Sequence, residues 1–434
     1  MLNAQQKSLF LDIFKCFQKC REIISMSKSA ILYITRNGML EPLGQSQVLS
    51  YLRGLSSDYK ITLISFEKPE DLADKTAVAR VDADCKTHGI HWLPQRFMYK
   101  PKVIAPAWSM LVFLYLCLRE VSRGNADIIH ARSYLPTIVA LVVNKLKGTP
   151  FIFDMRALWP EELITAGRIK RDSIMHKLLV RAERKCLARA ATVVSLTHAA
   201  VVHLKKEYPQ ELQNQKISVI STCADLNRFV PISKRPNQPK VYSCLGTVLS
   251  GWFRLDWLAA CFKVLAKREP DAQFEVITRD NPEIVRKAIG GDQDLQSRLK
   301  VYPLPSHEVH KAVQTQTASV MFFTDGLGKI GSAPTRMGEI LGCGLPVIAN
   351  AGIGDVAHII ERYRVGVLAK SSSDADMNQA LDELEILMQD PELARRCRYA
   401  AEVVFSLENG IEAYRAVYQK ILDAKSTKQR QVGK

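Results

Sequence analysis

Lys329, Arg336 and Glu339 lie close together in TDGLGKIGSAPTRMGEILGCGLPVIAN, residues 324–350. Two cations and a carboxylate beside a run of small residues suit a phosphate held next to a sugar. Ser332 and Pro334 read as the start of a helix, with Ser as cap and Pro in the first turn. The free backbone amides from Ser332 to Thr335 then point into the loop, where they can bind a phosphate. Lys329 and Arg336 flank that place with positive charge. Glu339, one turn further on, can accept hydrogen bonds from sugar hydroxyls. A phosphate beside a sugar is what a nucleotide sugar carries.

The elements that position these groups are legible on either side. The apolar run Val320 to Phe323 predicts a buried strand, and Leu345 to Ala349 predicts another. Met337, Ile340 and Leu341 give the helix between them its apolar face, and Gly342 and Gly344 end it. A second set of candidates stands at strand ends earlier in the chain. ARSYLPT follows a strand over Asp127 to His130, and a strand over Phe151 to Asp154 runs into FDMRALWPEE. In α/β sheets the ligand crevice lies at the carboxyl ends of strands, so Arg132, Asp154 and Arg156 are placed to meet a substrate. The competing reading of these three is an Arg–Asp cluster that only ties two loops together.

The run SAPTRMGEILGCGLPVIAN resembles the donor-binding motif of family 4 retaining glycosyltransferases of the GT-B fold, and most closely a subset with Ser-Pro-Thr-Lys before a Glu and then Cys-Gly-x-Pro-Val-Ile. FDMRALWPEE resembles an Asp-Met-Arg-x-x-Trp-x-x-Glu signature of the same subset. MLEPLGQSQVLSYLRGL resembles the first loop and helix of GT-B enzymes, which places Gly44 and Gln45 over the cleft with Arg132 and Arg156 on the acceptor side. The likeness extends over the chain after residue 28. It implies an α/β fold of two Rossmann-like, doubly wound domains facing a cleft. It also implies a donor site built on Gly246, Arg254, Lys329, Ser332, Thr335, Arg336 and Glu339, with Glu339 on the nucleotide ribose. Arg254 is the candidate for the basic residue that the family places near the diphosphate in the loop after Gly246. The family pattern has two glutamates eight positions apart. Glu339 matches the second, whereas Gly331 stands where the first, usually assigned to the transferred sugar, would be.

At 434 residues the chain is long enough for two full cores. Ten Cys are scattered without CxxC pairs or metal-ligand spacing, which favours reduced core thiols and a cytosolic setting. A formal net charge of +16 calls for an anionic partner. No nucleic-acid module is evident, so nucleotide phosphates and an anionic membrane surface are expected instead. No signal peptide is evident either. Residues 1–27 read as a cationic amphipathic helix, and 28–230 as the first, acceptor-binding domain. PISKRPNQPK, 231–240, reads as a linker, 241–405 as the nucleotide-sugar domain, 406–424 as a helix crossing back, and 425–434 as a disordered tail. VIAPAWSMLVFLYLCL, 103–118, is shorter than a membrane span needs and reads as a buried helix. In a helix over 172–190, Met175, Leu178, Leu179, Ala182 and Cys186 are expected to face inward. Lys177, Arg181, Arg184 and Lys185 then form a positive outer stripe.

The expected activity is transfer of a sugar from a UDP- or GDP-linked donor to a glycan or lipid-linked acceptor, at the cytoplasmic face of a membrane and with no cofactor. Arg254, Lys329, Arg336 and the helix amides would stabilise the leaving diphosphate without a metal. Asp154 would steady positive charge near the anomeric carbon. The Asp-x-Asp pairs at 82–84 and 374–376 follow no apolar strand and are not read as metal ligands. Two alternatives remain. A sugar-nucleotide epimerase would use acid and base groups drawn from His130, His198 and His307. A degenerate, non-catalytic binding subunit would be consistent with Gly331.

Overall fold

The computed structural model describes residues 28–101, 104–233 and 238–432. The expected helix over 1–27 lies outside them. The first sheet is formed by β1 Ala30–Ile34, β2 Lys60–Glu67, β3 Ile90–Arg96, β4 Ile128–Arg132, β5 Phe151–Asp154, β6 Thr192–Ser195 and β7 Ile217–Val219. The second is formed by β8 Val241–Leu245, β9 Gln273–Ile277, β10 Leu299–Tyr302, β11 Ala318–Met321, β12 Val347–Ala349 and β13 Gly366–Leu368. The strand orders are β3-β2-β1-β4-β5-β6-β7 and β10-β9-β8-β11-β12-β13, with every pairing parallel. Both are doubly wound sheets of the nucleotide-binding kind. Each has a switch point where the order reverses, between β1 and β4 and between β8 and β11.

Helices on both faces exclude water from these strands, which explains their unbroken apolar composition. AILYI and FIFD are buried at every position. The carboxyl ends of the strands carry polar groups or glycine, as at Arg132, Asp154 and Gly246. Asp390-Pro391 separates the helices Asp374–Met388 and Leu393–Phe405, because proline cannot continue a helix interior.

The last helix, Leu407–Val432, returns to the first domain. Tyr414, Val417, Tyr418 and Ile421 join the same core cluster as Ile31, Tyr33, Ile61 and Leu63. The helix continues well past residue 424, so most of the expected disordered tail is helical. From residue 425 the sequence has no Gly or Pro before Gly433, and Lys425 pairs with Asp127 at 2.7 Å.

Two expectations about the first domain's helices are corrected. The stretch expected to be a buried helix forms Ile104–Ser122 and is only half buried: Trp108, Leu111 and Tyr115 are 52, 60 and 65% exposed. In the helix Ile174–Arg189, Met175 and Leu178 face solvent, whereas His176, Glu183, Cys186 and Leu187 face in. The cause is Glu183, whose carboxylate accepts hydrogen bonds from the buried Tyr134 (2.6 Å) and from Tyr208. A periodicity argument that treats Glu as a surface residue rotates the helix the wrong way.

Candidate active site

The donor side of the cleft is built from the carboxyl ends of β8, β9 and β10 and from the helix Thr335–Gly342. Gly246 follows β8 at φ +92°, a conformation that side-chain-bearing residues rarely adopt. A Cβ there would lie 2.5 Å from Nη2 of Arg336. The guanidinium of Arg336 thus lies directly behind the backbone of Gly246, over the rings of Phe323 (5.2 Å) and Phe253 (5.9 Å). Burial lowers the pKa of Arg336, and its Nη1 has no hydrogen-bond partner among the described residues. A buried cation with an unused donor, set behind a glycine at the cavity edge, is suited to attract a phosphate.

A cavity of about 370 Å³ opens beside this point between the two domains. Gly246, Thr247, Thr278, Arg279 and Glu339 line it from the second domain. Gln45, Asp225 and Arg228 line it from the first domain and the segment that ends it. Burial raises the Glu339 carboxyl to about 7, with Arg336 and Arg228 opposing that rise. The helix that carries Glu339 begins at Thr335, with Pro334 as cap and no side chain bonded to the first turn. Ser332 is therefore not the cap. Its amide instead closes a turn on the Lys329 carbonyl at 3.0 Å.

Of the residues singled out in the sequence, Gly246, Glu339 and Gln45 line this cavity. Gly44 does not. It packs so closely that a Cβ would lie 1.9 Å from the Gly38 carbonyl oxygen, and the Gly38 loop is pinned because Glu67 accepts the amides of Met39 and Leu40. Arg254 turns away from the cleft. Asp256, at the start of the helix Leu255–Arg268, captures its guanidinium at 2.7 Å, and Trp257 stacks beneath it at 4.9 Å.

Asp154 is corrected from a substrate-facing group to a buried one, with 0% exposure. It bonds His130 at 3.3 Å, Arg156 at 3.3 Å and the hydroxyl of Tyr414, on the returning helix, at 3.2 Å; Arg132 stands 3.7 Å away. Burial alone would raise this carboxyl, but Arg156, His130 and Arg132 together hold it well below the ordinary range. Arg132 and Arg156 are drawn inward by the same charge and do not line the cavity.

A sequence profile described as Glycosyltransferase Family 4 matches residues 44–228, from the pinned loop to the end of the first domain. Those residues, fewer than half of the chain, are similar to glycosyltransferase family 4.

A D-inositol 3-phosphate glycosyltransferase from Arthrobacter sp. (strain FB24) is 22% identical over 369 residues, covering 79% of this chain and 81% of its own. Two solved structures share the fold. Sucrose-phosphate synthase from Thermosynechococcus elongatus has a TM-score of 0.67 at 14% identity, covering 92% of this chain and 100% of its own. Anabaena HepE in complex with UDP and glucose has a TM-score of 0.59 at 13% identity, covering 90% of this chain and 99% of its own.

Lys329 takes a position that its sequence did not suggest. It is buried, 3.4 Å from the carboxylate of Glu162 in the first domain and 3.6 Å from the ring centre of Trp252 in the loop after β8. Gly331 has a steric explanation. A Cβ there would lie 3.0 Å from the amide nitrogen of Leu158, because the Ala157–Leu158 backbone occupies the space. Sequence reasoning passed over Glu162, Trp252, Arg228 and Arg279. Glu162 sits inside the quoted FDMRALWPEE run, and Arg279 follows a strand end, so the strand-end rule could have found both. Among the described residues, no group of three or more His, Cys, Asp or Glu converges as metal ligands.

The Glu339 carboxyl gives a pH signature. If it accepts hydroxyl hydrogens from a bound nucleotide, the ionised form binds better, so the nucleotide pulls its pKa down from about 7. Nucleotide affinity is expected to rise as pH increases from 6 to 8 and to level off above that. Glu339→Gln should flatten the profile and weaken binding by about tenfold. Calorimetric titration of both proteins across that range measures it, and a profile unchanged by the substitution would refute the role.

Proposed function

We propose that this glycosyltransferase moves a hexose from a UDP- or GDP-linked donor to a glycan or lipid-linked acceptor, with retention at the anomeric carbon and without a metal ion, in surface-polysaccharide assembly. The observation that carries the reading is the interdomain cavity lined by Glu339 and Gly246, with the buried Arg336 cation behind Gly246. That pairing suits a ribose next to a diphosphate, and the UDP in the HepE structure supports it. The bond from the anomeric carbon to the phosphate oxygen breaks as the acceptor oxygen bonds the same face of that carbon. The acceptor proton passes to the departing phosphate. Arg336, Lys329 and the amides of the Thr335 helix offset the charge that grows on the leaving group.

The epimerase alternative loses its acid–base groups. His130 is buried under Tyr418 and Asp154, and burial lowers its pKa. His198 and His307 do not line the cavity.

The membrane-side acceptor draws support from one outer face of the first domain. The helices Ile104–Ser122, Tyr134–Lys147 and Ile174–Arg189 lie side by side over the first sheet. They expose Trp108, Leu111, Tyr115, Leu146, Met175 and Leu178 among Lys177, Arg181 and Lys185. Apolar and cationic groups on one face suit an anionic bilayer surface. Among the described residues no helix is long and apolar enough to cross a membrane.

The test is a donor screen. A nucleoside diphosphate at a hundred times its dissociation constant should stabilise the protein by about 2.7 kcal/mol. The matching nucleotide sugar should yield a glycoside whose anomeric configuration, read by NMR, equals that of the donor. Sedimentation with anionic vesicles at low and high salt tests the surface. Failure of UDP, GDP and their sugars to bind at millimolar concentration would overturn the donor reading.

A further inference from the structure

We propose that Glu162, from the first domain, supplies the carboxylate toward the transferred sugar that position 331 lacks. The inference rests on the donor reading of the cleft. A side chain at 331 would crowd the Ala157–Leu158 backbone, with its Cβ 3.0 Å from the Leu158 nitrogen. The same segment runs on into the helix Trp159–Thr165, which lies against the loop after β11. Its approach is close: a Cβ at Gly328 would lie 3.1 Å from the Cα of Glu162. The displaced carboxylate is thus matched by another, brought to the same loop by the element that displaces it.

The two glutamates of WPEE are not equivalent. Glu161 is held by Arg171, 3.2 Å away. Glu162 faces the loop, and among the described residues its carboxylate bonds only Lys329, at 3.4 Å. Its second oxygen is left to accept from a hydroxyl. Lys329 in turn is fixed from its other side by the indole face of Trp252. A carboxylate steadied by a cation, two residues along the loop from Gly331, can orient a polyol without carrying out chemistry itself. Because Glu162 and Glu339 belong to different domains, a donor that bears its sugar is gripped by both, whereas the bare diphosphate engages the second domain alone.

Calorimetric titration of wild type and Glu162→Gln with UDP or GDP, and then with the corresponding nucleotide sugar, separates the outcomes. Affinity for the diphosphate should stay within about twofold, while affinity for the nucleotide sugar should fall by about tenfold to a hundredfold, the worth of a hydrogen bond to a charged group. Equal weakening of both ligands would make Glu162 a domain latch and overturn the proposal, as would no change in either. If wild type binds neither ligand, the donor reading itself fails, and this inference with it. Should Glu162→Gln not fold, Glu162→Asp, which keeps the charge but withdraws it by one methylene, is read in the same way.

Discussion

Asp154→Ala is expected to destabilise the fold by about 3–5 kcal/mol, the usual cost of removing one partner from a buried ion cluster. The substitution strands Arg132 and Arg156 with no counter-charge. Both guanidiniums already have buried nitrogens without a hydrogen-bond partner, so nothing local can replace the carboxylate. It also removes the acceptor for Tyr414, which ties the returning helix to β5. Urea unfolding should show a lower midpoint with an unchanged slope. Asp154→Asn keeps an acceptor for Tyr414 and should cost less. The sign of the pH effect follows from the depressed carboxyl: its stabilisation is present above the ordinary carboxylate range, about 3.9, and is lost as pH falls below it. Intact stability with a large drop in turnover would restore Asp154 to a role on the substrate.

Arg336→Ala is expected to reduce kcat by about 10²–10³-fold, the loss found when one preorganised donor to a developing anion is removed. The reasoning is electrostatic. The guanidinium has already been desolvated in folding, so it needs no further rearrangement when the diphosphate departs. Its Nη1 is left to serve that anion because no group among the described residues bonds it. Arg336→Lys keeps the charge but not the planar fork, and should recover only part of the rate. Gly246→Ala should mimic the loss by pushing the guanidinium aside, since its Cβ would collide with Nη2. Turnover measured at saturating donor decides the matter, and an unaltered kcat in Arg336→Ala would remove this residue from the mechanism.

Much of the fold was legible because parallel strands buried on both faces leave unbroken apolar runs. Phe151 to Asp154 is read at its observed ends, and the runs Val320 to Phe323 and Leu345 to Ala349 lie within two residues of theirs. The donor helix was legible for the same reason, through Met337, Ile340 and Leu341, although its start slipped from Ser332 to Thr335. What failed was local charge pairing. Arg254 is drawn off by Asp256, two positions along, and Asp154 is claimed by partners from β4 and from the far end of the chain. Neither competition is visible in a linear pattern. Glu162 escaped notice for the opposite reason: its partner lies 167 residues away, in the other domain.

The returning helix has a consequence for biosynthesis. Tyr418 is wholly enclosed among residues encoded far upstream, such as Tyr33 and Ile61. The ribosome cannot release a finished first domain before the second, because the plug for the first is translated after it. Until then the pocket awaiting Tyr414 and Tyr418 stays open to water while the intervening domain emerges and folds. Nascent chains stalled short of residue 414 should therefore expose that unfilled hydrophobic seam to chaperones, even though every strand of both sheets has already been made.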